Sequence, residues 1–242
     1  MSKILLLGGT EEARALSAAL VARGANLTVS LAGRAEADYG APTRTGGFGG
    51  EAGLAKTLAS GGFTLLVDAT HPFASTISPV AARVSKRLAV RYVRLERPPW
   101  RRQAGDRWIN VSTLAAAAAR LEPGSRAFLT VGAGGLAPFL HRVDVGFIVR
   151  AIAAPDLAGR ADIAVIEGRG PFSLEAERAL ADRFSFDTLV TKNAGGAATA
   201  AKLLVARERR TVVLMVARPA HQPRPNARNV EGMLALLRRH IA

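Results

Sequence analysis

The 242-residue sequence contains no cysteine and few large aromatic residues, with only two Trp and two Tyr. Without cysteine the protein forms no disulfide and no thiolate metal site, which is typical of the reducing cytoplasm. The longest stretch free of Asp, Glu, Lys and Arg is fifteen residues and includes three glycines and a proline, so we expect no membrane-spanning helix. Only four apolar residues, 4–7, precede the first glycine, which is too short for a secretory signal. We therefore expect a soluble cytoplasmic protein.

Acidic residues are also scarce, with 19 Asp and Glu against 33 Lys and Arg, and the net charge is +14. The basic residues, 28 of them arginine, are scattered along the chain, which fits either an ordinary solvated surface or a surface that attracts anions. A nucleic-acid-binding domain would interleave basic and aromatic residues, and this sequence does not. We therefore expect an anionic small molecule as partner rather than nucleic acid. The four histidines show no ligand spacing, so no bound metal is expected.

Short apolar runs alternate with alanine-rich helical patterns along the whole chain. The apolar runs are continuous, which is typical of strands that are buried on both faces of a parallel sheet. The predicted strands are 4–7, 27–31, 65–68, 91–95, 127–131, 146–151, 163–166, 188–191 and 212–216. The predicted helices are 11–23, 54–60, 76–88, 114–121, 174–183, 197–207 and 230–240. The pattern predicts a doubly wound α/β fold.

A domain boundary is predicted at the turn "LEPGSR", residues 121–126. The next stretch, "AFLTVGAGGLAPFL", repeats the order of strand, glycine turn and helix with which the chain begins. The sequence therefore predicts two Rossmann-like domains of similar size, residues 1–125 and residues 126–242. The proline-rich and charged stretch 97–106 is predicted to be a loop.

The first strand runs into "GGTEEA", residues 8–13. A dinucleotide-binding fingerprint has G-x-G-x-x-G/A, so Gly8 and Ala13 match its ends, while Thr10 replaces the middle glycine. The Thr10 hydroxyl can bind a phosphate or cap the helix that Glu11 begins. The acids of that first turn favour the helix dipole but repel a pyrophosphate. The motif by itself leaves both dinucleotide binding and a plain turn open.

The end of the second strand bears on the cofactor. An NAD-binding chain usually has Asp or Glu there to bind the ribose, whereas this sequence has "VSLAGR", with Ser30 and Arg34. A hydroxyl and a guanidinium suit the 2′-phosphate of NADP, although Arg34 is also compatible with an ordinary surface position. The pattern favours NADP over NAD and disfavours S-adenosylmethionine, whose ribose diol also favours an acid.

Three further strand ends carry polar side chains. Asp68 ends the third predicted strand and leads into "DATHPFA", where His71 precedes a proline. Ligands bind at this edge of a parallel sheet, so the cluster is a candidate site. In the second half, "VIEGRGPF" places Glu167 and Arg169 in a glycine-flanked loop, and "LVTKNAGG" places Lys192 and Asn193 before a helix. Cations in glycine turns are typical of anion binding, although ordinary loop chemistry explains the same residues.

These motifs, in this order, resemble those of the precorrin-6A reductases of cobalamin biosynthesis. The resemblance spans the chain and rests on "GGTEEA" (8–13), "DATHPFA" (68–74), "EGRGPF" (167–172), "TKNAGG" (191–196) and "VARP" (216–219). It implies two Rossmann-like domains with cofactor and substrate in the cleft between them. It also implies reduction of one carbon–carbon double bond of a corrin precursor, precorrin-6A or its cobalt form, by NADPH. The acetate and propionate groups of such a macrocycle agree with an anionic partner.

The resemblance implies a role for each candidate residue. NADPH would be bound by Gly8, Gly9, Thr10, Glu11, Ser30, Arg34, Asp68, Ala69, Thr70, His71, Pro72 and Phe73. Substrate carboxylates would meet Arg150, Arg169, Lys192 and Asn193. His71 and Lys192 are candidate proton donors, with solvent as the alternative. We expect a monomer.

Other functions are open at this stage. A short-chain dehydrogenase needs a Tyr followed four residues later by Lys, but Thr43 follows Tyr39 and Glu96 follows Tyr92 at that spacing. This spacing disfavours that class. An NADPH-binding regulator and a basic nucleic-acid-binding protein, neither with turnover, are the remaining alternatives. The former would yield no reduced corrinoid, and the latter would bind a duplex with steep salt dependence.

Overall fold

A computed structural model describes residues 2–33 and 38–241. Within these ranges the chain forms two parallel β-sheets with helices against them. The strands are β1 Lys3–Leu7, β2 Asn26–Leu31, β3 Thr43–Thr45, β4 Leu65–Asp68, β5 Arg91–Arg94, β6 Arg107–Val111, β7 Arg126–Thr130, β8 Gly146–Ala151, β9 Ala164–Glu167, β10 Thr188–Lys192 and β11 Val212–Val216. The helices are α1 Glu11–Val21, α2 Gly50–Ser60, α3 Ile77–Arg87, α4 Leu114–Ala119, α5 Ala137–Leu140, α6 Leu174–Phe184, α7 Ala201–Glu208 and α8 Val230–Ile241.

The first sheet has five strands in the order β3-β2-β1-β4-β5. Its central strand β1 is buried on both faces, because Ile4 and Leu6 pack in one hydrophobic cluster while Leu5 and Leu7 pack in another. The first cluster includes side chains of α1 and α8, and the second includes side chains of α2 and α3. The continuous apolar run of the sequence therefore corresponds to a central parallel strand.

The second sheet has six strands in the order β6-β11-β10-β7-β8-β9. Phe128, Leu189 and Val213 from three of its strands pack with Leu203 and Ala206 of α7 in one apolar cluster. Helix α4 packs against β6 and β11. The predicted class, with two parallel-sheet α/β domains, is confirmed.

The division of the chain differs from the boundary predicted at residue 126. One compact unit consists of Met1–Pro98 and Pro219–Ala242, and the other of Pro99–Arg218. Strand β6 precedes the predicted boundary but pairs in parallel with β11, so it is an edge strand of the second sheet. Helix α8, at the end of the chain, buries Met233 and Leu237 in the cluster of the first unit. The second unit therefore takes β6 and α4 from the first predicted half, and the first unit takes α8 from the second.

Two strands were missed because neither is a continuous apolar run. Strand β3 consists of three half-exposed or exposed residues, and the edge strand β6, "RWINV", mixes polar and apolar residues and buries only Val111. Helix α2 begins at Gly50, four residues before the predicted start. The prediction missed its first turn because Gly50 and Gly53 have low helix propensity. None of the described helices is long and apolar enough to cross a membrane.

Candidate functional site

The first glycine turn connects β1 to α1. Gly9 has a φ of 107° and donates its N–H to the Tyr39 hydroxyl at 3.0 Å. A Cβ on Gly8 would lie 2.9 Å from the Leu31 side chain, so this glycine allows the turn to pack against β2. The Thr10 hydroxyl accepts from the Ala13 amide and donates to the Ala69 carbonyl. The hydroxyl therefore caps α1, and any contact of Thr10 with a phosphate would use its backbone N–H.

The acids after this turn are only partly available to repel a phosphate. Glu12 forms an ion pair with Arg97 at 2.6 Å, and both side chains are largely buried. Glu11 is exposed in the first turn of α1. Neutralisation of Glu12 removes one of the two charges that, in the sequence, argued against a pyrophosphate at this helix end.

The end of the second strand contains a cation that the sequence analysis missed. Strands β2 and β3 pair so that Arg44 lies opposite Ser30. Arg44 donates from Nη1 to the buried Ser30 hydroxyl at 2.6 Å and from Nη2 to the Gly47 carbonyl at 3.1 Å. Its guanidinium carbon lies 4.2 Å from the centroid of the Phe48 ring. Arg34, the cation that the sequence analysis chose, lies outside the described residues.

A signal for Arg44 was present in the sequence. "TRTGGFGGEAGL", residues 43–54, is a short β-branched run that leads through four glycines into a helix. Gly46, Gly49 and Gly50 all have positive φ, which explains the glycine content of this turn. Arg44 was missed because its neighbour Ser30 is fourteen positions away, and only the pairing of the two strands brings them together.

A cavity of about 250 Å³ lies beside this pair in the first unit. Its walls come from the carboxyl ends of β1 and β2, the glycine turn before α2, Thr70, and the first turns of α3. Apolar side chains in the lining include Leu7, Phe48, Ile77 and Val80. A small apolar cavity with a hydroxyl and a guanidinium at its margin has the chemistry to hold a flat heterocycle that bears an anionic group.

Asp68 is an anchor for the loop after β4 and has no exposed surface. Its Oδ1 accepts from the backbone N–H and the hydroxyl of Thr70, and its Oδ2 accepts from the Tyr92 hydroxyl at 2.7 Å. Burial, together with the charge of Asp68, raises the pKa of Tyr92, so the phenol stays a donor. Asp68 therefore stabilises the loop through these hydrogen bonds. The sequence analysis expected its carboxylate to contact the cofactor, but the carboxylate is buried.

The rest of this loop places His71, Pro72 and Phe73 after Thr70. His71 Nδ1 accepts the Phe73 N–H at 3.2 Å, which puts the proton of the neutral imidazole on Nε2. The two rings lie with their centroids 5.8 Å apart. Pro72 and Ala69 are buried, and the Ala69 carbonyl accepts the Thr10 hydroxyl, so the loop is joined to the first glycine turn.

In the second unit, Lys192 ends β10. Its Nζ donates to the Val131 carbonyl at the end of β7, at 2.6 Å. Burial lowers the pKa of Lys192. A partly buried ammonium at the carboxyl edge of a parallel sheet is suited to bind a carboxylate or to move a proton.

Asn193 has a different role from the one expected. Its amide side chain accepts from the Trp100 N–H at 2.8 Å and donates to the Trp100 carbonyl at 3.3 Å. The Trp100 indole donates to Gly196, and Arg218 donates to the carbonyls of Asn193 and Ala194. The motifs "TKNAGG" and "VARP" are thus parts of one hydrogen-bonded loop cluster. The Asn193 side chain binds backbone, so we do not retain it as a substrate ligand.

The two arginines predicted to bind substrate differ sharply in exposure. Arg169 is exposed in the loop between β9 and α6. Arg150 is 8% exposed, and its guanidinium forms a two-pronged ion pair with the buried Glu177 at 2.6 and 2.7 Å. Because this carboxylate already neutralises Arg150, direct binding of Arg150 to a substrate carboxylate is not supported.

The candidate residues thus form one group in each unit. In the first unit, the two glycine turns, Ser30 with Arg44, and the loop 68–73 gather at the carboxyl ends of the strands. In the second unit, Lys192 and the loop with Arg169 lie at the carboxyl ends of β10 and β9. Among residues 2–33 and 38–241, no group of three or more His, Asp or Glu could hold a metal ion.

Known proteins are similar to this chain over nearly its whole length. Residues 3–238 match the family described as precorrin-6x reductase CbiJ/CobK. The chain belongs to the precorrin-6x reductase family. Precorrin-6A reductase of Rhodococcus erythropolis is 43% identical over 228 residues, which cover 92% of each chain. The enzyme of the same name from Rhodobacter capsulatus is 37% identical over 246 residues, covering 100% of this chain and 98% of the relative.

A solved structure described as CobK precorrin-6A reductase superposes with a TM-score of 0.93 at 37% identity, and the match covers 99% of this chain and 97% of the other. This reductase family member is therefore an oxidoreductase acting on a CH–CH group in cobalamin biosynthesis. The resemblance stated from the motifs is confirmed.

Proposed function

We propose that the chain reduces one carbon–carbon double bond of precorrin-6A and that its reductant is NADPH. When bound, NADPH supplies the hydride, and a proton completes the addition to the double bond. The observation that carries the choice of cofactor is the pair of hydrogen bonds from Arg44 to Ser30 and Gly47, two residues that line the cavity in the first unit. The residues described below hold the cofactor, orient the macrocycle and supply a proton.

Arg44 suits the 2′-phosphate that distinguishes NADPH from NADH. A phosphate monoester carries about −1.5 to −2 charges near neutral pH, and a guanidinium is the side chain best shaped to bind it through two hydrogen bonds. Stacking on Phe48 fixes the plane of this guanidinium. Its described hydrogen bonds go to the uncharged oxygens of Ser30 and Gly47, so its charge is not neutralised by them.

Two further features support an anion at this position. Helix α2 begins at Gly50, and its first N–H groups face the same glycine turn that lines the cavity. The adjoining apolar walls suit a nucleotide ring. The Gly8–Thr10 turn, whose neighbour Glu12 is neutralised by Arg97, is then the expected position of the pyrophosphate.

For the substrate, we propose that Lys192 and Arg169 bind carboxylates of the macrocycle. Both are cations at the carboxyl ends of strands in the second unit, and precorrin-6A carries several acetate and propionate groups. The net charge of +14 also favours the approach of such a polyanion.

For the proton, we propose His71 through its Nε2–H or Lys192 through its ammonium. Nδ1 of His71 accepts the Phe73 N–H, so Nε2 is the nitrogen that carries the proton of the neutral ring. Substitution of both residues with turnover intact, and with hydride transfer still limiting the rate, would favour a solvent donor.

The cofactor proposal is tested with Arg44→Gln. Loss of a charged hydrogen-bonding partner corresponds to about 1.5–3 kcal/mol, so we expect the dissociation constant of NADPH to rise roughly 10- to 100-fold. The dissociation constant of NADH should not change. Thermal melting with each nucleotide measures both, since a ligand at 100 times its dissociation constant adds about 2.7 kcal/mol of stability.

Arg83→Gln is the matched control, because Arg83 is an exposed arginine of the same unit that pairs with Glu51 on the surface. It should leave both nucleotides unaffected. Equal loss of NADPH and NADH binding in Arg44→Gln, or no loss of either, would contradict the 2′-phosphate role.

A further inference from the structure

Arg150 and Glu177 form a buried ion pair in the second unit that has no assigned role. Both oxygens of Glu177 are used, at 2.6 and 2.7 Å, and the two side chains are 7% and 2% exposed. Such a pair is weak evidence for stability, because the cost of burying two charges often cancels their attraction. The role of the ion pair is therefore inferred from the other groups that Arg150 contacts.

The Arg150 guanidinium also lies against two aromatic rings. Its central carbon is 4.0 Å from the ring centroid of Phe172 and 4.8 Å from that of Phe128. Phe128 belongs to β7, inside the apolar cluster, whereas Phe172 belongs to the loop between β9 and α6. The ion pair with Glu177 orients the guanidinium, and the guanidinium in turn contacts the Phe172 ring.

The loop that carries Phe172 also carries Arg169. Its backbone is fixed on both sides of Arg169, by the Gly168 N–H to the Ala151 carbonyl at 2.9 Å and by the Phe172 N–H to the Ala198 carbonyl at 3.0 Å. The contact between Arg150 and Phe172 adds a third, side-chain attachment to the same short loop. Arg150 can therefore influence the position of Arg169 although Arg150 itself is buried.

We propose that Arg150, oriented by Glu177, is a positioning residue for substrate binding and acts through Phe172 on Arg169. This inference rests on the proposed function, in which Arg169 binds a carboxylate of the macrocycle. It replaces the direct substrate contact expected of Arg150 from the sequence. A loop held at three points presents its guanidinium with little loss of conformational entropy on binding, and this preorganisation increases affinity.

The test is a double substitution, Arg150→Met with Glu177→Met, which removes both charges and so leaves no unpaired one in the core. We expect the KM for precorrin-6A to rise roughly tenfold, equal to about 1.4 kcal/mol of lost binding. The value of kcat, the dissociation constant of NADPH and the melting temperature should stay close to those of the parent. Phe172→Leu, which leaves the ion pair intact, should raise KM in the same way.

Arg178→Met with Glu208→Met is the matched control. Arg178 and Glu208 also form a two-pronged pair and Arg178 is on the same helix α6, but both side chains are exposed. This control should leave KM unchanged. An Arg169→Gln background provides the decisive comparison, because residues that act through one another show non-additive effects. In that background, the Arg150 and Glu177 substitutions should cause no further rise in KM.

Two results would overturn the inference while leaving the proposed function intact. One is a raised KM in Arg169→Gln with no change in the Arg150 and Glu177 double variant or in Phe172→Leu. The other is an equal rise in KM with and without Arg169, which would mean that Arg150 acts independently of it. An unchanged KM in Arg169→Gln itself would refute the proposed carboxylate contact, and the inference with it.

Discussion

The two units each contain an arginine stacked on a phenylalanine, and the difference between the two arginines lies in their partners. Arg44 in the first unit lies 4.2 Å from the Phe48 ring, and Arg150 in the second lies 4.0 Å from the Phe172 ring. Arg150 is neutralised by Glu177, whereas Arg44 donates to the uncharged oxygens of Ser30 and Gly47. Within the described parts of the chain, Arg44 forms no salt bridge. The proposed function uses this difference, with Arg44 as a ligand-binding group and Arg150 as a structural one.

Lys192 and Asp68 are two further ionic groups whose described hydrogen-bonding partners are uncharged. Lys192 donates to the Val131 carbonyl at the carboxyl edge of the second sheet. Asp68 is also held by uncharged groups, but it is fully buried and no ligand can reach it. A polar group therefore needs both an uncharged partner and surface access before it qualifies as a binding group.

The largest effect is expected when the buried ion pair is broken on one side only. Glu177→Leu leaves the Arg150 guanidinium buried without its counter-ion, which should lower the free energy of unfolding by about 3–5 kcal/mol. Urea unfolding measures this loss. Glu208→Leu is the control and should change stability little, because the pair of Glu208 with Arg178 is exposed. Similar losses in the two variants would mean that burial does not distinguish the pairs.

A smaller effect is expected when one uncharged partner is removed from a buried charge. Tyr92→Phe deletes the donor to Oδ2 of Asp68 and leaves the two Thr70 donors at Oδ1. Loss of this hydrogen bond should lower the free energy of unfolding by about 1–3 kcal/mol, again measured in urea. An unchanged stability would mean that water or another donor replaces the phenol and that Asp68 does not depend on it.

The smallest effect is a pH dependence at Lys192. Burial lowers the pKa of Lys192 from the ordinary 10.5. The folded protein thus binds this proton less tightly than the unfolded chain, so stability should rise as the pH increases from the lowered pKa towards 10.5. Substrate binding should fall over the same range, because the ammonium that meets the carboxylate is lost.

The two opposite trends make this prediction specific, and both are measured as pH profiles, of the free energy of unfolding and of KM for precorrin-6A. Lys192→Arg keeps a permanent charge and should abolish the loss of affinity at high pH. If the wild-type and Lys192→Arg profiles of KM coincide, the Lys192 ammonium does not bind the substrate.

The sequence alone determined the fold class, most of the strands and helices, and the family. Central strands such as β1 and β7 can be predicted from the sequence, because burial on both faces requires a continuous run of apolar residues. Glycine turns can also be predicted, because a positive φ at one position favours glycine there. The motifs around Gly8, Asp68 and Lys192 were found on this basis.

Only the tertiary structure decided the assignment of elements to units and the partners of the polar groups. Strand β6 and helix α8 join their sheets through contacts more than a hundred residues away in sequence. Arg44 lies beside Ser30 because β2 pairs with β3, and the ion pair of Arg150 with Glu177 joins β8 to α6 across 27 positions of sequence. Side-chain type fixes what a residue can bind, but only the fold fixes which charge or dipole stands next to it.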